Sequence, residues 1–265
     1  MAATLSPLLD VQALSKSFRG LRALDNYHLA LAQGAIHGVI GPNGAGKTTL
    51  FNLLTGFIKP TSGTIHFDGQ NVTGQPAHRI ARLGIARTFQ NIRLFTGLSV
   101  LENVKVALQS QMPENFLAAL LNAPSFRRTE SALDRRALEL LERVGIAERR
   151  AQIAGSLPYG DQRKLEIARA LAIKPRILLL DEPTAGMNPQ ETQQVLELIR
   201  SLRDDLGITI ILIAHDIPLV MNVCEEIQVL NYGKILAQGN PQTVRSNPEV
   251  IAAYLGQANA QTASA

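Results

Sequence analysis

"AIHGVIGPNGAGKTTLFNLLTG", residues 35–56, runs from an apolar segment through a glycine-rich turn into the start of a helix pattern. The turn itself comprises Gly41, Pro42, Asn43, Gly44, Ala45, Gly46, Lys47, Thr48 and Thr49, and it fits G-x-x-x-x-G-K-[ST] at Gly41, Gly46, Lys47 and Thr48. Glycines let a backbone curl until successive N–H groups point inward at phosphate oxygens, and the following helix turns its positive end to the same anion. Lys47 adds a full charge for β- and γ-phosphates, and the Thr48 hydroxyl is an oxygen ligand suited to Mg²⁺. The plain alternative is a glycine-rich turn that binds nothing; the strand–loop–helix setting weighs against it.

Other stretches extend the same architecture. "RILLLDEP" (176–183) and "ITIILIAHD" (208–216) are aliphatic at nearly every position and end in polar residues. Such runs fit strands buried on both faces of a parallel sheet. Between them "QETQQVLELIRSLRDDLG" (190–207) has a helix period and stops at Gly207. Strand, helix and strand in alternation predict a doubly wound α/β core, whose chemistry collects at the carboxyl ends of its strands. The first thirty or so residues and "HFDG" (66–69) alternate more, which predicts a smaller antiparallel sheet. Residues 97–157 carry helix patterns such as "SVLENVKVALQ" and "ESALDRRALELLERVG", read as an inserted helical subdomain. "IQVLNYGKILAQG" (227–239) reads as a hairpin turning at Tyr232–Gly233. The expected division is one domain over 1–256, with core and β-subdomain in 1–96 and 158–256, helical subdomain in 97–157, and a flexible tail over 257–265.

Asp181 and Glu182 close the second apolar run. Asp181 is placed to hold Mg²⁺ directly or through water, and Glu182 to polarise an attacking water; caps on a following helix are the structural alternative. Composition excludes other classes. With 46% apolar and 18% charged residues the chain is globular, and a net charge of +4 without basic–aromatic runs argues against a nucleic-acid partner. One cysteine, Cys224, allows no internal disulfide and no cysteine-based metal site, and the five histidines show no paired metal spacing. "MAATLSPLLD" lacks the character of a signal peptide, and no apolar run approaches the ~20 residues of a membrane span. The expectation is a chain soluble by itself, with any membrane role supplied by partners.

The phosphate loop, "TFQ" (88–90), "LPYGDQRKLEIARAL" (157–171), "LLLDEP" (178–183) and a histidine some thirty residues later resemble, in order and spacing, the ATP-binding subunit of an ABC transporter. "ARTFQNIRLF", "PSFRR" and "NPEVIAAYLG" narrow the resemblance to the ATPases of branched-chain amino-acid importers, the longer of the two such subunits. The resemblance implies a P-loop NTPase (RecA-like) core with an N-terminal antiparallel β-subdomain and an inserted α-helical subdomain. It implies ATP hydrolysis at Glu182 as general base, with His215 bonding the γ-phosphate and Gln90 contacting Mg²⁺ or water. Thr48, Gln90 and Asp181 would serve the metal, and Phe18 would stack on adenine unless it is plain core. Tyr159, Gly160 and Asp161 would present a helix end to the ATP of the opposite subunit.

The partners so implied are a second, related ATPase (a heterodimer, or a homodimer), two integral membrane permeases and, indirectly, a periplasmic or extracellular solute-binding protein. The expected location is the cytoplasmic face of the bacterial inner membrane. In the common L-S-G-G-Q turn a serine stands where Pro158 is, a glycine where Tyr159 is and a glutamine where Asp161 is. A hydroxyl contact is thereby lost, and Asp161 brings a negative charge near an anion. The tyrosine–glycine variant is general among branched-chain importer ATPases. "AGMN" (185–188) stands where the family often has S-A-L-D, so Asn188 takes the place of an aspartate at the subunit seam. The alternatives are an ATPase of lipopolysaccharide export, whose turn is closer to L-S-G-G, a soluble ABC ATPase acting on DNA or ribosomes, and a simple P-loop kinase, which would lack the signature turn.

Overall fold

The aliphatic runs of the sequence lie side by side in the computed structural model, which describes residues 6–110, 124–214 and 217–254. Strands β3 (Ile36–Ile40), β7 (Ile177–Asp181) and β8 (Thr209–Ile213) are buried at every position. With β6 (Ile85–Arg87), β9 (Glu226–Asn231) and β10 (Lys234–Gly239) they form a six-stranded sheet in the order β10-β9-β3-β8-β7-β6. All its pairs are parallel except β9–β10, the hairpin anticipated at Tyr232–Gly233. Both turn residues have positive φ, 45° and 77°, as a type I′ turn requires.

Strand alternation divides the core. Ile36, Ile40, Leu178, Leu180, Ile210 and Leu212 face one cluster, shared with the helices; Val39, Ile177, Leu179, Ile211 and Ile213 face the other. The second cluster is completed by Leu50, Phe51, Leu53 and Leu54 of α1 (Lys47–Leu54) and by an antiparallel sheet. That sheet has the order β2-β1-β4-β5, from β1 (Leu9–Phe18), β2 (Leu21–Leu31), β4 (Ser62–Phe67) and β5 (Gln70–Asn71). Each fully buried Leu or Ile contributes roughly 1.5–3 kcal/mol, so both faces of the sheet are strongly held. A short helix, α2 (Ala77–Leu83), precedes β6.

Among the described residues, α3 (Val100–Gln109) and α4 (Pro124–Arg143) are the long helices of the helical stretch, packing Val100, Val104 and Leu108 with Leu133, Ala137 and Leu141. Ser99 and Glu102 form a reciprocal capping box at the start of α3. Buried Asn103 accepts the Phe95 N–H at 2.9 Å and donates to Phe95 O and Ser99 O, pinning the incoming loop. Helix α5 (Tyr159–Leu171) then leads to β7, and α6 (Pro189–Leu206) to β8. Gly207 ends α6 at φ 65°, as its place in the sequence predicts. Helix α7 (Ile217–Val223) and the short α8 (Pro241–Arg245) follow, and residues 248–254 are helical as well. Among the described residues, no helix is long and apolar enough to cross a membrane. Cys224 is buried, as a small apolar group would be.

Candidate functional site

The loop between β3 and α1 owes its shape to what lies behind it. Gly41, Gly44 and Gly46 all have positive φ. A Cβ on Gly41 would collide with the Leu230 carbonyl, and one on Gly46 would lie 2.6 Å from Ala23 O. The sequence reading gave these glycines to phosphate access alone; the structure adds close backing by β9 and β2. Around Gly44 a Cβ would meet nothing within 4 Å. The curl is closed by Ala45 N donating to Pro42 O at 3.1 Å, and Gly233 N donates to Ala45 O at 2.9 Å. Inside it the Lys47 ammonium donates to Gly41 O at 2.6 Å and Pro42 O at 3.0 Å. Burial pushes the Lys47 pKa down, and Glu182 and Asp181 oppose that shift.

Asn43, Gly44, Ala45, Gly46, Lys47, Thr48, Gln90, Glu182 and Ile213 line one cleft of about 160 Å³. Two separate strands therefore bring Glu182 and Gln90 to the phosphate loop. Gln90 Nε2 donates to Glu182 Oε2 at 3.3 Å. Glu182 has φ 49°, a left-handed backbone that costs a non-glycine residue about 1–2 kcal/mol. Its N–H is anchored to Ile213 O at 2.8 Å, which keeps the side chain at the strand ends. Asp181 is buried next door and ion-pairs with Arg87 at 2.8 Å.

Hydroxyl, amide and carboxylate oxygens make up the donor set at this cleft, which fits a hard cation such as Mg²⁺. No group of three or more His, Cys, Asp or Glu side chains gathers among the described residues. The buried ammonium and the inward-curled loop fit the phosphates themselves.

Phe18 lies elsewhere, at the end of β1, 44% exposed, with Lys16 Nζ 5.0 Å over its ring. It is therefore not a plain core residue. Tyr159, Gly160 and Asp161 are likewise not among the cleft's lining residues. The sequence reading placed them in a turn ahead of a helix; instead Pro158 is the N-cap and all three lie in the first turn of α5. A Cβ on Gly160 would sit 3.1 Å from Glu191 Oε1 of the same chain. Asp161, expected to bring a negative charge near an anion, pairs with Arg149 at 2.8 Å and approaches Lys164 at 3.9 Å. Asn188 caps α6 in a reciprocal box with Glu191. His215 lies outside the described residues.

Two functional neighbours escaped the sequence reading. Arg163, fully buried on α5, donates to Phe89 O at 2.6 Å, Gln90 O at 3.1 Å, Glu166 Oε2 at 2.7 Å and Tyr159 Oη at 3.3 Å. Glu166 in turn accepts the Phe89 N–H at 3.0 Å, so α5 grips the backbone that carries Gln90. Burial raises the Glu166 pKa, against the pull of the Phe89 N–H and of Arg163. An Arg and a Glu three apart on a helix look in sequence like an ordinary surface pair; only the apolar residues around them hint at burial.

The profile of a family described as ABC transporter matches residues 24–185, and one described as branched-chain amino acid ATP-binding cassette transporter matches 234–260. The chain is 50% identical over 252 residues to the high-affinity branched-chain amino acid transport ATP-binding protein LivG of Escherichia coli (strain K12), covering 95% of this chain and 99% of that one. It is 48% identical, with the same coverage, to the corresponding protein BraF of Pseudomonas aeruginosa. Among solved structures, the ADP conformation of an ATP-binding cassette of an ABC transporter superposes with TM-score 0.83 at 29% identity, over 96% of this chain and 100% of that one. A dimeric cassette in a post-hydrolysis state, bound to ADP and Pi, superposes with TM-score 0.75 at 26% identity, over 88% and 98%.

Proposed function

The chain belongs to the ABC transporter family of ATP-binding proteins, in its branched-chain amino acid branch, and from that premise we propose how its residues power the uptake of branched-chain amino acids. It is the ATP-binding and ATP-hydrolysing subunit of such a transporter. The observation that carries the mechanism is the shared cleft, where Lys47 and Thr48 from one strand end meet Gln90 and Glu182 from others.

The curled loop 41–46 and the Lys47 ammonium bind the β- and γ-phosphates of ATP. Glu182 accepts the proton of the water that attacks the γ-phosphate, and Gln90, hydrogen-bonded to it, orients that water. Thr48, Asp181 and Gln90 would hold Mg²⁺, which when bound neutralises charge developing on the transferred phosphoryl group. His215 bonds the γ-phosphate, and Phe18 offers one ring face to adenine.

Tyr159, Gly160 and Asp161, which are not among the lining residues of that cleft, serve a second nucleotide bound on a facing subunit. Two ATPase subunits, this chain and a related one, close on two ATPs and open after hydrolysis. Arg149 neutralises Asp161, which removes the repulsion that the acid would otherwise exert on the anion. The helical segment 97–157 acts as a subdomain whose motion, passed through the grip of α5 on Gln90, drives two permeases at the cytoplasmic face of the membrane. In cells lacking the gene, uptake of labelled leucine, isoleucine and valine should fall and be restored by the parent chain. Restoration by Lys47→Ala, or steady-state hydrolysis unchanged by Glu182→Gln in the assembled transporter, would overturn this reading.

A further inference from the structure

Asp181 has a partner to which the mechanism above assigns no task. Arg87 ends β6, and the parallel β6–β7 pairing sets it opposite Leu179, two residues before Asp181. Its Nη2 donates to Asp181 Oδ2 at 2.8 Å, and its Nη1 donates to Asn52 Oδ1 at 2.6 Å. Asn52 belongs to α1, the helix that opens with Lys47 and Thr48. The guanidinium lies 5.4 Å from the Phe51 ring centroid and 5.0 Å from that of Phe89. The side chains of the Arg87–Asp181 pair are only 6% and 4% exposed.

A charge pair withdrawn this far from water gives little net stability over apolar residues of equal volume. Its geometry, however, is specific. One arm of the fork fixes one carboxylate oxygen of Asp181, and the other ties that carboxylate to the helix bearing the phosphate loop. The two rings keep the fork from swinging. A planar guanidinium can hold both acceptors at once; a lysine ammonium on a flexible stem cannot do so with the same rigidity.

We infer that Arg87 is a positioning residue that orients Asp181 toward the nucleotide's Mg²⁺ and so sets the site's metal affinity. The inference rests on the reading of Asp181 as the metal-holding acid. Charge alone would act in the opposite direction, because a fixed positive group beside the carboxylate repels a divalent cation. The two effects separate in Arg87→Lys, which keeps the charge and loses the fork, and in Arg87→Met, which loses both.

The test is binding of a fluorescent ATP analogue to the purified full chain, titrated with Mg²⁺ and repeated in EDTA, with Mn²⁺ binding followed by electron paramagnetic resonance. Both variants should need roughly tenfold more Mg²⁺ for half-saturation, the scale usual for partners that orient metal ligands, while EDTA affinity stays at the parent value. Asn52→Ala, which cuts only the tether, should move the same way by less, and it reports even where an Arg87 variant does not fold. Mg²⁺ curves that superpose on the parent, or tighter Mg²⁺ binding by the Met variant with Lys unchanged, would overturn the inference. A parent chain whose nucleotide binding ignores Mg²⁺ would instead sink the assignment of Asp181.

Discussion

Replacing Arg163 with Met removes the group that four acceptors share. Phe89 O, Gln90 O and the Glu166 carboxylate lose their buried donor, and Tyr159 Oη loses a weaker one. Arg163 and Glu166 side chains are 0% and 6% exposed, so water does not substitute freely. Breaking a buried pair from one side costs about 3–5 kcal/mol, since the surviving charge stays desolvated. At roughly 2–4 °C per kcal/mol for a chain near this size, Tm should fall by about 10 °C.

Removing both charges costs less, because no lone ion is left behind. Arg163→Met with Glu166→Leu should therefore be more stable than Arg163→Met alone. The pH dependence has a definite sign. Burial raises the Glu166 pKa, and loss of Arg163 raises it further. A carboxyl whose folded pKa lies above its unfolded value favours folding at low pH and loses that contribution as pH rises through the folded pKa. The deficit of Arg163→Met should thus shrink on acidification. Thermal unfolding of the four chains of the double-mutant cycle, run at neutral and mildly acidic pH, measures all of this. A single variant within about 1 kcal/mol of the parent, or a double variant that loses the sum of its singles, would refute the reasoning.

Three further outcomes follow from the geometry. Gly46→Ala should cost about 2 kcal/mol or more and weaken ATP binding, because φ 107° and Ala23 O at 2.6 Å both oppose a Cβ; Gly34→Ala, strained but with open space around it, should cost about 1 kcal/mol. Chemical denaturation separates the two, and equal losses would show that the carbonyl contact is immaterial. Burial favours the neutral Lys47 amine, so nucleotide affinity, followed with rising pH, should decline earlier on the alkaline side than the titration of an exposed lysine predicts. A flat profile up to that range would contradict it. Burial also pushes the Cys224 thiol up, so iodoacetamide should label the native chain far more slowly than the chain in urea; equal rates would place the sulfur at the surface.

What was legible in the sequence was local. The phosphate loop, the fully apolar strands, the stop at Gly207 and the turn at Tyr232–Gly233 each depend on a few adjacent residues, and the chain folds there as read. Tyr159 and Gly160, read as part of a signature turn, lie instead in the first turn of α5, although both are poor helix formers. Asp161 and Asn188 were read for their charge and their place at a seam. Their neighbours, Arg149 twelve residues away and Glu191 three along, give them an ion pair and a cap. Arg87 and Arg163 were invisible because the acceptors that tie them to the site, the Asp181 carboxylate and Phe89 O, lie 94 and 74 residues away in the chain.

The central claim is that ATP joins this chain to a facing subunit. Sedimentation of the Glu182→Gln chain, by itself and with the related ATPase proposed as its partner, with and without ATP and Mg²⁺, addresses it most directly. The account predicts separate subunits without nucleotide and a stable pair with it, dispersed again when Lys47→Ala is introduced. Subunits that bind ATP tightly yet sediment identically in its presence and absence would contradict it.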